Sequence, residues 1–155
     1  MNGQWSEWVD IDRACATGGV FGDYGIYEIR LLIPKTNTPA TVFRFVGVDT
    51  SGLIYIGRSG FRSRGRGRTV ANRLREWITQ QHSGANTYSK AVSILDRSPS
   101  LADRKLQVRA MFVPDEQIAA AEAEALAEYF AIHAELPPCN SSTPGAFMNN
   151  ESSEE

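Results

Sequence analysis

The sequence predicts one α/β domain, a small and mostly antiparallel β-sheet flanked by helices. Three observations carry this. Segments rich in β-branched and aromatic residues alternate with segments of helical apolar period. The 155 residues fit one domain. Hydrophobic residues are 42% and aromatics 10% of the chain, enough to fill a core.

The elements follow in order. Residues 1–23 read as an N-terminal extension carrying Trp5 and Trp8, a short helix after Asp10 and a glycine-rich turn through Gly18, Gly19 and Gly22. Residues 24–147 read as the main domain and 148–155 as a flexible acidic tail with Glu151, Glu154 and Glu155. Tyr24 to Ile33 is the first strand, and Pro34 to Pro39 a turn-rich loop. Thr41 to Val48 alternates Val42, Arg44 and Val46 against Phe43, Phe45 and Gly47, which predicts an inserted second strand. Leu53 to Gly57 is a third strand, expected to form a hairpin with the second. A Gly/Arg loop over Gly60 to Gly67 precedes a helix from Thr69 to about Gln81, with Val70, Leu74, Trp77 and Ile78 as its buried stripe. A second helix covers Asn86 to Leu95, and Lys105 to Val113 is a further strand. Pro114 and Asp115 open a long helix to about Ala134, whose apolar face is Leu126, Tyr129, Phe130 and His133.

Charge narrows the function. The net charge of −2 conceals a stretch from Arg58 to Trp77 with seven arginines and one acid. From Asp115 to Glu155 there are nine acids and no lysine or arginine. A basic stripe on an acidic chain points to a local polyanion site. No apolar run reaches the ~18 residues of a membrane helix, and Met1 to Glu7 has no signal-peptide pattern. Cys15 and Cys139 are too few for a disulfide scaffold or a closed zinc site. A cytoplasmic protein is expected.

Five positions then stand out by order. Gly25-Ile26-Tyr27 and Tyr55-Ile56-Gly57 lie on two strands. Arg73 follows on the next helix, Glu128 on the polar side of the last helix, and Asn140 twelve residues later, after Pro137. Taken singly, each has a bland structural reading. The ordered set resembles the GIY-YIG nuclease superfamily, over Gly25 to about Gly145. The tyrosines of the two tripeptides are 28 positions apart, more than is usual in that family, which fits the inserted strand. Trp77 stands where the family often carries a histidine or tyrosine, one helical turn after the arginine, and His82 is a weak replacement.

The resemblance implies a Mg²⁺- or Mn²⁺-dependent endonuclease acting on DNA. It implies Tyr27 as general base, Tyr55 as an orienting group, Arg73 on the phosphate, Glu128 as metal ligand and Asn140 as support. Glu124, one turn before Glu128, is the rival ligand. The residue types suit this chemistry. Arginine presents a planar, permanently charged fork to phosphate, and a carboxylate is a hard ligand for Mg²⁺. Arg58, Arg62, Arg64, Arg66, Arg68 and Arg75 are expected to hold the nucleic-acid backbone, positioning it without reading sequence. No other small-molecule cofactor and no membrane partner is expected, and a homodimer is compatible with the sequence. The alternative is a nucleic-acid-binding module on the same fold with weak or no catalysis, for which Trp77 speaks.

Overall fold

The computed structural model describes residues 3–16, 21–33, 35–60, 67–95 and 105–141, and for 90–95 the backbone alone. In chain order the elements are β1 (Val9–Asp10), α1 (Ile11–Ala16), β2 (Gly25–Ile33), β3 (Thr38–Pro39), β4 (Val42–Phe43), β5 (Val48–Asp49), β6 (Leu53–Arg58), α2 (Val70–Ile78), α3 (Ser83–Leu95), β7 (Lys105–Phe112) and α4 (Asp115–His133). The architecture is α/β, with an antiparallel sheet flanked by helices.

β2 is the central strand. β7 pairs along one edge of it, from Gly25↔Phe112 to Leu32↔Lys105, and β1 pairs the far side of β7. β6 takes most of the other edge, from Ile26↔Arg58 to Arg30↔Leu53, with a register shift between Ile29 and Arg30. β3 pairs only the end of β2. Strand alternation then sorts the two faces. Tyr27, Ile29, Tyr55, Val108 and Ala110 join the core with Val70, Leu74 and Trp77 of α2. On the opposite face, Ile56 and Leu53 pack against Leu126 and Tyr129 of α4, and Ile26 against Ile118 and Ala121. The segment before β2 enters the first core through Ile11, Ala14 and Phe21.

The inserted strand takes a different form from the one expected. Residues 41–48 do not join the main sheet; Val42–Phe43 pairs Val48–Asp49 as a separate two-stranded ribbon, turned by Gly47 at φ 75°. Phe43 and Phe45 are 82% and 92% exposed. Arg44 instead points inward, bonding the Leu136 carbonyl and the Glu135 carboxylate. The expected hairpin partner, β6, pairs β2. Two apolar assignments also shift: Ile78 and Phe130 are 45% and 41% exposed, at the margins of their helices' buried stripes. His133 is buried against the Tyr129 ring, as a core histidine.

Thr69 caps α2, its hydroxyl accepting from the Asn72 N–H. α4 carries Asp115 and Glu116 in its first turn, where acids suit the helix dipole. It ends at Ala134, whose backbone is left-handed. No helix among the described residues is long and apolar enough to cross a membrane.

Candidate functional site

The two tyrosines meet because of strand register. Tyr27 lies directly opposite Gly57, and Ile29 opposite Tyr55. Tyr55 and Gly57 are two apart and so share a face. A Cβ at Gly57 would come within 2.8 Å of the Tyr55 hydroxyl oxygen. The glycine therefore lets the Tyr55 ring lie over it toward Tyr27, with ring centroids 5.9 Å apart. Gly25 has a similar reason: a side chain there would run into the Met111 carbonyl of β7.

Arg73, on α2, closes over this pair. Its charge acts on the Tyr27 hydroxyl, and its Nη2 lies 2.7 Å from His82 Nε2. The same His82 nitrogen is 3.4 Å from Tyr27 Oη and 3.3 Å from Tyr55 Oη. His82 thus stands at the centre of the cluster, just before α3. Trp77 supports it: the indole stacks on the imidazole at 5.7 Å and packs on Tyr55 at 5.2 Å. So an imidazole is present beside the tyrosines, supplied by His82 rather than from position 77.

Burial sets the protonation states. Tyr27 is fully buried. Burial, then Tyr55, pushes its hydroxyl well above the ordinary value, while Arg73 pulls the other way. Burial raises Tyr55 to about 12 against the pull of Arg73. For His82, burial and then the Arg73 charge lower the pKa to about 4. Geometry agrees. Gly84 N–H donates to Nδ1 at 3.0 Å and Arg73 approaches Nε2, so an imidazolium would meet donors at both nitrogens. His82 is neutral at neutral pH.

A stability prediction follows from that shift. Below about pH 6.5 the unfolded chain protonates this histidine, while the folded chain resists until about pH 4. Stability therefore falls as pH drops through that window. His82→Gln should lose this share of the acid sensitivity, read as a smaller drop in Tm between pH 7 and pH 4.5. An unchanged drop would show that the imidazole ionises freely.

On α4 a carboxylate lies near the cluster, that of Glu122, whose charge acts on Tyr55. Its Oε2 pairs Arg58 Nε at 3.1 Å, and both Arg58 and Arg73 act on its charge. Burial raises its pKa, with the two arginines opposing. Glu128, the expected ligand, is placed elsewhere. With Glu124, Glu28 and Arg109 it lines a separate cleft of 240 Å³. The reason is angular: six residues turn an α-helix to about 120° short of two whole turns, so the two glutamates leave α4 on different flanks. Glu122 had a signal in the sequence. It falls four residues after Ile118 and four before Leu126, both buried, and a charge on a buried stripe is the informative exception.

Asn140 braces β6. Its Oδ1 accepts from Ile56 N–H at 3.0 Å and its Nδ2 donates to Ile56 O at 2.7 Å. Cys139 N–H donates to Ile54 O nearby. These bonds clamp the strand between Tyr55 and Gly57. Asn140→Ala should cost about 2 kcal/mol by leaving both backbone groups without this partner, read by chemical denaturation. A change below about 0.5 kcal/mol would show the clamp to be incidental.

A cleft of 370 Å³ opens beside the cluster, lined by Arg58, Ser59, Gly60, Arg68, Arg73 and Asp115 among others. Three of the predicted phosphate-binding arginines, counting Arg73, meet there. Arg75 does not: it bonds Asn72 and the Cys15 carbonyl, on the α1 side of α2. Arg62, Arg64 and Arg66 lie outside the described residues, as do Glu151, Glu154 and Glu155. A larger cavity of 590 Å³ lies against α1 and α3 and shares only Trp77 with the cluster.

No family model matches the chain, and no curated protein and no solved structure matches it.

The donor set can be tested against Mg²⁺. Sites that handle phosphates hold this ion through one or two carboxylates, several waters and the phosphate itself. Glu122, partly exposed and next to a cationic cleft, fits that pattern. Among the described residues no cluster of three or more His, Cys, Asp or Glu forms an all-protein cage.

Proposed function

We propose that this chain is a divalent-metal-dependent DNA endonuclease with a GIY-YIG-type site and fold. The observation that carries this is the meeting of Tyr27, Tyr55 and Arg73 within hydrogen-bond reach of His82 Nε2, beside a cleft lined by arginine. Glu122 takes the ligand role that the linear spacing assigns to Glu128.

Hydrolysis adds water to phosphorus and breaks the bond to the 3′ oxygen. The water's proton must go to the protein. Tyr27 Oη takes it in its ionised form, which the Arg73 charge favours against burial, while His82 Nε2, 3.4 Å away, orients the oxygen. Tyr55 shares that nitrogen and orients the hydroxyl network. Arg73 turns its guanidinium to the charge that grows on the phosphate oxygens. A cation held by Glu122 would act as Lewis acid and settle charge on the leaving oxygen. Asn140 keeps Tyr55 in register through Ile56.

A second reading rests on one observation: Tyr27 is 0% exposed in the free chain. A hydroxyl sealed this way suits a module that binds nucleic acid without cutting it. The deciding experiment incubates the protein with supercoiled plasmid and with labelled single-stranded DNA, in Mg²⁺ and in EDTA. Metal-dependent cutting supports the nuclease. Salt-sensitive binding without cutting supports the module. Neither binding nor cutting overturns both.

A further inference from the structure

Two of the cleft's arginines share one carboxylate. Glu76 Oε1 pairs Arg68 Nη1 at 2.7 Å, and Glu76 Oε2 pairs Arg73 Nη1 at 2.5 Å. Each oxygen takes one guanidinium, so two like charges are held side by side. Arg68 and Arg73 line the cleft; among the described residues Glu76 lies outside that lining. The backbone adds a second constraint, because Arg68 and Gly60 exchange N–H···O bonds of 3.2 and 3.1 Å. This bridge closes the base of the arginine-rich loop at the rim of the cleft. Arg68 is thus fixed at both its backbone and its tip, although its side chain is 43% exposed.

We propose that Arg68 and Arg73 form a two-guanidinium subsite for a backbone phosphate, and that Glu76 is the positioning residue that assembles it. This rests on the nucleic-acid reading above and extends it to a residue that the motif pattern does not contain. The chemistry is that of a pincer. A guanidinium has five N–H donors in a fixed fork, so the bond to Glu76 leaves other edges for a phosphate. Two long side chains held before binding lose less freedom when the phosphate arrives. Without the carboxylate, the two cations repel and separate.

The sign of one substitution separates this from plain electrostatics. Glu76 is an anion near an anion site, so removing its charge should tighten binding if charge alone matters. Glu76→Gln keeps the size but turns one of the two oxygens into an NH2 donor, so the arginine on that side loses its partner. The pincer therefore predicts weaker binding of a short labelled DNA duplex in EDTA, by about tenfold at low salt, through lost preorganisation. Glu76→Asp keeps both oxygens and should recover part of the loss. Arg68→Ala should weaken binding and lower the slope of log affinity against log salt by about one. Arg68→Lys should fall close to Arg68→Ala, because an ammonium lacks the fork. The double variant Arg68→Ala/Glu76→Gln should bind within about twofold of Arg68→Ala, the signature of coupled residues. Circular dichroism melts check that each variant folds, and exposed Arg68 keeps the test open if Glu76→Gln does not fold.

Equal or tighter binding by Glu76→Gln, or additive losses in the double variant, overturns the pincer and leaves the nuclease reading standing. So does Arg68→Lys binding like the wild type. A wild-type protein with no salt-dependent DNA binding overturns both.

Discussion

Glu122→Ala should lower metal-dependent cleavage by at least about two orders of magnitude, while Glu128→Ala should stay within about twofold of the wild type. The two residues lie on one helix, six positions apart, and the structure separates them by environment. Glu122 pairs Arg58 and feels the charge of Arg73, at the edge of the arginine cleft. Glu128 shares its cleft with Glu28, Glu124 and Arg109. Loss of Glu122 also frees Arg58, so DNA binding by Glu122→Ala should hold or tighten even as cutting stops. The acid limb of the rate profile gives an independent check. Burial lifts the Glu122 carboxyl above the ordinary carboxylate range against the pull of its arginines. The carboxylate is the form that binds metal, so activity should fall on acidification sooner than an exposed glutamate would dictate. The reverse pattern, with Glu128→Ala inactive and Glu122→Ala active, would return the ligand role to Glu128.

The parts of the fold readable from the sequence are those with a long, unambiguous period. β2, β6, α2, β7 and α4 appear within a few residues of their expected bounds, because burial of one face enforces the pattern. The stretch at 41–48 misleads for a physical reason. Its alternation is real, but Arg44 is the residue that turns inward, toward Glu135, Leu136 and the Tyr129 ring, while Phe43 and Phe45 face out. Strand propensity states what fits a half-buried pleat and not which way the pleat faces. The pairing of β2 with β6 was equally hidden, since the intervening ribbon closes on itself.

The site divides along the same line. Tyr27, Tyr55 and Arg73, singled out by the ordered motif pattern, meet because strand register and helix packing bring their side chains to one imidazole. The spacing from Glu128 to Asn140 counts residues along the chain, whereas proximity to Arg73 depends on the flank of α4 from which a side chain leaves. His82 carried still less signal, because it sits between two helices where no period applies. Its place is set by packing against Trp77 and Tyr55.

Tyr27→Phe should reduce cleavage by at least about a hundredfold, the usual range for a lost acid–base group, and leave Tm within a few degrees. The two halves of that expectation have separate causes. The ring fills the core between β2 and α2, and phenylalanine keeps it. The hydroxyl is fully buried and strongly resists ionisation, so it is poorly suited to hold an anion by itself. It becomes useful when the Arg73 charge offsets the negative charge of the ionised oxygen. A merely structural hydroxyl would show the opposite balance, with stability lost and cutting kept. Tyr55→Phe tests the same network from the other side, since Tyr55 touches the same imidazole nitrogen at 3.3 Å and has no assigned proton to move. Its loss should be the smaller of the two. If Tyr55→Phe instead costs more than Tyr27→Phe, the proton leaves through Tyr55, and the sealed hydroxyl of Tyr27 serves only to orient Arg73.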